Sequence, residues 1–160
     1  MATRSTIAIK HGERIKAIYC HWDGYLEGVG ATLLANYDST QANFLVALGD
    51  VSSLGSKIGE AHPFSKFEIA EDDPDREAKI KLHELAEQED WTTFYGRDRG
   101  ETGAEYRSFG TEAEWMDYYE GPGAEYYYVM DNGVWYVSAY RRPFKPLHEL
   151  LAETKLEEAV

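Results

Sequence analysis

The dipeptide Asn132-Gly133 constrains this chain most. It separates Tyr126-Tyr127-Tyr128-Val129-Met130 from Val134-Trp135-Tyr136-Val137-Ser138. Asn and Gly tolerate the positive φ angles of a two-residue turn whose twist matches paired strands, so the segment reads as a β-hairpin. Side chains alternate along it. Tyr126, Tyr128 and Met130 share one face, and Tyr127 and Val129 the other, while Val134, Tyr136 and Ser138 alternate with Trp135 and Val137. Both faces are apolar or aromatic, which a sheet with one wetted face does not require. One face packs on a core. The other needs a cover, either the C-terminal helix expected over 147–158 through Leu147, Leu150 and Leu151, or a partner chain.

A second hairpin is expected from Thr6-Ile7-Ala8-Ile9-Lys10, a turn at His11-Gly12 and an alternating run from Arg14 to Cys20. Trp91-Thr92-Thr93-Phe94-Tyr95 is a further strand candidate. Val29, Leu33, Leu34 and Tyr37 sit at helical spacing over 28–37. Asp38-Ser39 can cap a second helix with Phe44, Leu45 and Leu48 buried, and Gly49 stops it. Residues 51–55 read as turns or a short helical connection. Asp73-Pro74 reads as a helix start within an acidic loop, with 79–88 a short helix or an irregular strand pair. Thr111 with Glu114 is a capping-box pattern that opens a helix holding Trp115, Met116, Tyr118 and Tyr119. These elements predict a single α+β domain over 1–160. Its antiparallel sheet is built from an N-terminal and a C-terminal hairpin plus a central strand near Trp91, with helices packed on it. At 160 residues the chain can bury a core without staples.

Charge narrows the partners. The net charge is −13, from 29 acidic and 16 basic residues. Such a surface repels nucleic-acid backbones, and no basic patch stands out beyond Arg97/Arg99 and Arg141-Arg142. It suits a partner with a basic face, whose approach it would steer. A lone cysteine, no signal-peptide pattern and no apolar run long enough to span a bilayer predict a cytoplasmic protein without membrane attachment.

Two loops gather the residues able to carry chemistry. Tyr19-Cys20-His21-Trp22-Asp23-Gly24-Tyr25 lies between a strand and a helix, a place where rigid elements present side chains to ligands. His21 and Asp23 share a side in an extended segment, and an Asp can orient an imidazole as general base. They can equally hold the loop through backbone hydrogen bonds. Cys20, with no basic partner in view, reads as a small buried hydrophobe. Gly24, Gly28 and Gly30 lack the spacing of a phosphate-binding loop, although a glycine-bearing approach to a helix N-terminus could accept an anion through backbone amides. In Gly96-Arg97-Asp98-Arg99-Gly100-Glu101 the two arginines would point the same way from a strand end, with Asp98 opposite. They could clamp a carboxylate or phosphate, or pair internally with carboxylates such as Asp23 or Glu101. No catalytic set is complete and no metal-ligand spacing is present; His62, His83 and His148 stand in unrelated contexts. An N-terminal nucleophile is disfavoured, because Thr3 would remain internal after loss of Met1. The candidate ligand or interaction residues are His21, Trp22, Asp23, Tyr25, Arg97, Asp98, Arg99 and Glu101, with no cofactor expected.

Three of these stretches together resemble a family of small proteins encoded by tailed bacteriophages. They are Thr3-Arg4-Ser5-Thr6-Ile7, then Tyr19 to Tyr25 with Gly28, Gly30 and Leu33-Leu34, then Tyr95-Gly96-Arg97-Asp98-Arg99-Gly100-Glu101. Gly49-Asp50-Val51-Ser52-Ser53-Leu54-Gly55 also fits, and Leu26 departs from the proline expected in many relatives. The resemblance carries no catalytic residues. It implies action in the cytoplasm of an infected bacterium. Joined to the acidity and the tyrosines, it predicts an accessory protein that binds and modulates, most simply by inhibiting, a host defence or nucleic-acid-handling protein. The competing expectation is a small enzyme or a nucleotide- or anion-binding protein with His21, Asp23, Arg97 and Arg99 in one pocket.

Overall fold

In the computed structural model, which describes residues 2–159, the two hairpins lie side by side. β1 (Arg4–His11) and β2 (Arg14–Cys20) form the first, with Ile7 opposite Ile18. β6 (Ala124–Asp131) and β7 (Val134–Ala139) form the second, turning through Asn132 and Gly133 at φ 50° and 82°. They join through β1 and β6, which run parallel with Ile7 opposite Tyr128. Short strands extend the sheet: β3 (Val51–Ser53) and β4 (Thr93–Phe94) beyond β2, and β8 (Lys145–Pro146) beyond β7. β5 (Arg107–Phe109) shares the outer edge of β2, pairing at Ile15–Ala17 while β3 takes Cys20. The result is an open, mostly antiparallel sheet of eight strands with helices on it, an α+β domain.

Both sheet faces are covered, which explains the two apolar faces of the tyrosine-rich hairpin. Ile7, Ile9, Ile18, Tyr128, Met130, Trp135 and Val137 pack under α1 (Ala31–Asn36), α2 (Ser39–Ala47) and α6 (Leu147–Ala159). Leu147 and Leu151 are buried there and Leu150 packs at the rim, so the C-terminal helix does cover one face. On the other face Ala8, Ile15, Ala17, Tyr127 and Val129 meet Trp115, Met116 and Tyr119 of α5 (Glu112–Glu120). The Trp115 indole donates to Thr6 Oγ1 at 3.0 Å, so its polar edge is satisfied inside. Thr111 caps α5 by accepting from the Glu114 amide at 3.1 Å, and Asp38 caps α2 through the Gln41 amide at 2.9 Å.

Several local expectations change. The strand near Trp91 is only two residues long and sits outside β3, not at the sheet centre. Residues 51–53 are a strand, because Val51 and Ser52 carbonyls accept from the His21 and Trp22 amides. The first helix opens with a π-turn over Leu26–Gly30. In α2 the buried residues are Ala42, Leu45 and Val46; Phe44, 58% exposed, and Leu48 turn outward. Residues 76–88 form one helix, α3 (Arg76–Gln88). It begins two residues beyond Pro74, where the Asp73 carboxylate accepts from the Asp75 amide. Gly96-Arg97-Asp98-Arg99 is not an extended strand end but a single helical turn, α4 (Tyr95–Arg99), closed by Gly100 at φ 71°. Asp98 makes that turn, accepting from the Phe94 amide at 2.7 Å.

Candidate functional site

The loop after β2 is locked by its backbone. Asp23 adopts φ 57°, its carbonyl accepts from Val29 N–H at 2.8 Å, and Gly24 donates to the Thr3 carbonyl at 2.8 Å. The buried Tyr128 hydroxyl donates to the Gly24 carbonyl at 2.7 Å. A Cβ on Gly28 would lie 2.3 Å from the Asp23 carbonyl oxygen, so this glycine serves close packing, not phosphate binding. The lock turns side chains outward. Trp22 is 45% and Tyr25 40% exposed, and Asp23 and Glu27 stand exposed beside them. The Tyr25 hydroxyl donates to the Asp23 carboxylate at 3.4 Å. Among the described residues neither Asp23 nor Glu27 has an ion-pair partner.

His21 is half-buried. Its Nδ1 lies 2.7 Å from the Tyr19 hydroxyl and its ring meets Trp22 edge-on at 4.7 Å. Burial, then the charge of Arg4, lowers its pKa and favours the neutral imidazole. Cys20 is fully buried, and burial pushes its thiol up to about 12, which favours the neutral form. The His21–Asp23 relay does not form: the imidazole turns to Tyr19 and the carboxylate to Tyr25.

The second loop looks inward. The Arg97 guanidinium donates through Nε to Asp98, through Nη1 to the Ile58 and Gly59 carbonyls, and through Nη2 to the Thr92 carbonyl and Asp98. It also lies over the Phe94 ring at 4.6 Å. The Asp98 side chain is fully buried and accepts from the His62 amide as well. Arg97 thus pairs with Asp98, its neighbour in sequence, rather than with Asp23 or Glu101. Arg99 is more open. It bonds Glu68 at 3.0 Å, lies 3.9 Å from Glu101 and covers the Phe64 ring at 4.4 Å. No hydrogen bond, ion pair or ring contact joins His21, Trp22, Asp23 or Tyr25 to Arg97, Asp98, Arg99 or Glu101 among the described residues.

Asp50 is a site residue that its sequence context does not mark as one. It immediately precedes β3, and its Oδ1 accepts from the Tyr19 amide at 2.9 Å. It lies at a cavity of about 220 Å³ lined by Tyr19, Arg107, Tyr118, Tyr119 and Pro122. Burial pushes its carboxyl up to about 6; the Tyr19 amide and Arg107 oppose this, while Glu101 and Glu105 add to it. The only sequence signal is an acid set between Gly49 and the β-branched Val51. The aromatic walls come from residues about seventy positions away. Among the described residues no cluster of His, Cys, Asp and Glu is placed to hold a metal, and no helix is long and apolar enough to cross a membrane. Comparison with protein-family models, curated proteins and solved structures finds no match.

Proposed function

We propose that the protein is a binding module that uses the loop after β2 to engage a host protein with a basic surface, in the cytoplasm of a phage-infected bacterium. One observation carries the binding mode: a backbone-locked loop holds Trp22 and Tyr25 in solvent beside the unpaired carboxylates Asp23 and Glu27. Exposed aromatics on a rigid loop lose little entropy when they bind, and aromatic residues dominate interface hot spots. The carboxylates add steering and register toward a cationic partner. The phage setting rests on the sequence resemblance alone, and the basic partner on the charge of −13. Inhibition follows if those carboxylates fill a cleft where phosphates would lie.

The anion-binding alternative has less support, since every Arg97 donor is already used. Capture from host lysate with wild type, a Trp22→Ala/Tyr25→Ala double variant and an Asp23→Asn/Glu27→Gln double variant tests the proposal. The expected result is one specific partner, lost with the aromatic variant and weakened in high salt or with the charge variant. A partner retained equally by all three proteins overturns the loop assignment.

A further inference from the structure

The cavity at Asp50 combines three features. First, its lining includes a carboxylate with a free oxygen. Asp50 Oδ1 takes the Tyr19 amide, whereas Oδ2 has no hydrogen-bond partner among the described residues. Second, its lining includes Tyr19, Tyr118 and Tyr119. Tyr118 and Tyr119 pack edge to face at 4.9 Å, and the Tyr119 hydroxyl is already engaged with the Ala17 carbonyl at 3.3 Å. Tyrosine rings attract cations. The chain's own Arg107 illustrates this, its guanidinium lying 5.0 Å above the Tyr118 ring without an ion pair to Asp50. Third, the cavity adjoins the exposed loop through the bonded Tyr19 and His21 and the Trp22 ring beyond them.

We infer that this cavity seats a primary ammonium group, the side chain of a lysine on the basic partner, with Asp50 as counter-ion and the tyrosine rings around the methylene chain. A linear alkylammonium suits a small open cavity where one carboxylate stands beside tyrosine side chains, whereas a planar guanidinium would want a second acceptor. This deepens the binding-module reading and rests on it for the source of the lysine. The test needs only small molecules, so the two can fail separately.

Amide NMR titrations of the full chain with n-butylammonium, and with N-acetyl-lysine N-methylamide, test the seat. Both probes are expected to shift the Tyr19 and Asp50 amides. Asp50→Asn keeps an acceptor for the Tyr19 amide, and its preserved spectrum reports an intact fold. It should weaken binding about tenfold, the loss of one charge-assisted hydrogen bond. Arg107→Gln removes the competing cation and should tighten binding. Equal binding by Asp50→Asn, or no shift at these amides, overturns the inference. No amine binding, with inorganic phosphate shifting the same amides in wild type but not in Arg107→Gln, would make it an anion site instead. Binding of butylammonium without the lysyl amide would exclude a partner's lysine. Amine binding that persists when lysate capture fails would sink the loop reading alone.

Discussion

Arg97 has five N–H donors, and all five meet oxygen acceptors: Asp98 and the carbonyls of Ile58, Gly59 and Thr92. One side chain therefore fastens the 55–63 segment to β4 and α4. Truncation leaves the fully buried Asp98 carboxylate without its cation. Arg97→Ala should cost about 3–5 kcal/mol in chemical denaturation, whereas Asp23→Ala, at an exposed residue, should stay within about 1 kcal/mol. Equal losses would mean that Asp23 carries a fold contact its exposure does not provide. Asp50 behaves in the opposite way. Its folded value of about 6 lies above the ordinary 3.8, so the native state holds its proton to higher pH than the unfolded chain. Stability therefore falls as pH rises from about 4 to about 6 through this group, then levels off. Asp50→Asn should be about 1–2 kcal/mol more stable than wild type at pH 7, allowing for partial exposure to solvent. That gain should fade toward pH 4. Denaturation midpoints at the two pH values check the sign.

At the scale of elements, Leu147 begins α6 and is fully buried against Trp135, Val137 and Tyr128 across the sheet face. Leu147→Ala should cost about 2–5 kcal/mol, the range for a buried leucine whose cavity cannot collapse. Truncation after Arg142 should fare worse, because it also removes β8 and Leu151. A truncated chain that stays monomeric and equally stable would show that α6 is dispensable. The hairpins and this helix were legible because their signals are local: a turn dipeptide, period-two alternation and leucines on one face. The parallel pairing of β1 with β6 was not, since more than a hundred residues intervene and alternation does not name a partner. β3 and β5, three residues each, give too little pattern to register. The helical turn α4 has no apolar stripe and exists because Asp98 caps the Phe94 amide while Gly100 takes a positive φ. The same locality explains the site. Tyr19–Tyr25 stood out because its unusual residues are consecutive, whereas Asp50 gains its character only when α5 and β5 bring Tyr118, Tyr119 and Arg107 to it.

Across the whole molecule two electrostatic effects oppose each other. Arg and Lys residues form surface ion pairs such as Lys57–Glu89, Lys66–Glu84 and Arg141 with Asp117 and Glu120. Each is exposed and contributes about 0–1 kcal/mol, less as salt rises. Against them stands a net charge of −13, concentrated where Glu68, Glu71, Asp72, Asp73, Asp75 and Glu77 follow one another in the chain. Folding gathers that charge within a radius of gyration of about 15 Å, while the unfolded chain spreads it over roughly twice that distance or more. At about 0.01 M salt the screening length is about 30 Å, so carboxylates across the folded molecule repel one another. At about 0.15 M it is about 8 Å, and only close neighbours still do. The ion pairs, at contact distance, lose less to the same change than the long-range repulsion does. Thermal stability should therefore rise when sodium chloride is increased from about 0.01 M to about 0.15 M. Melting followed by circular dichroism at neutral pH measures this directly. A fall in melting temperature would mean that the surface pairs, not the surplus of carboxylates, govern the electrostatics of the fold.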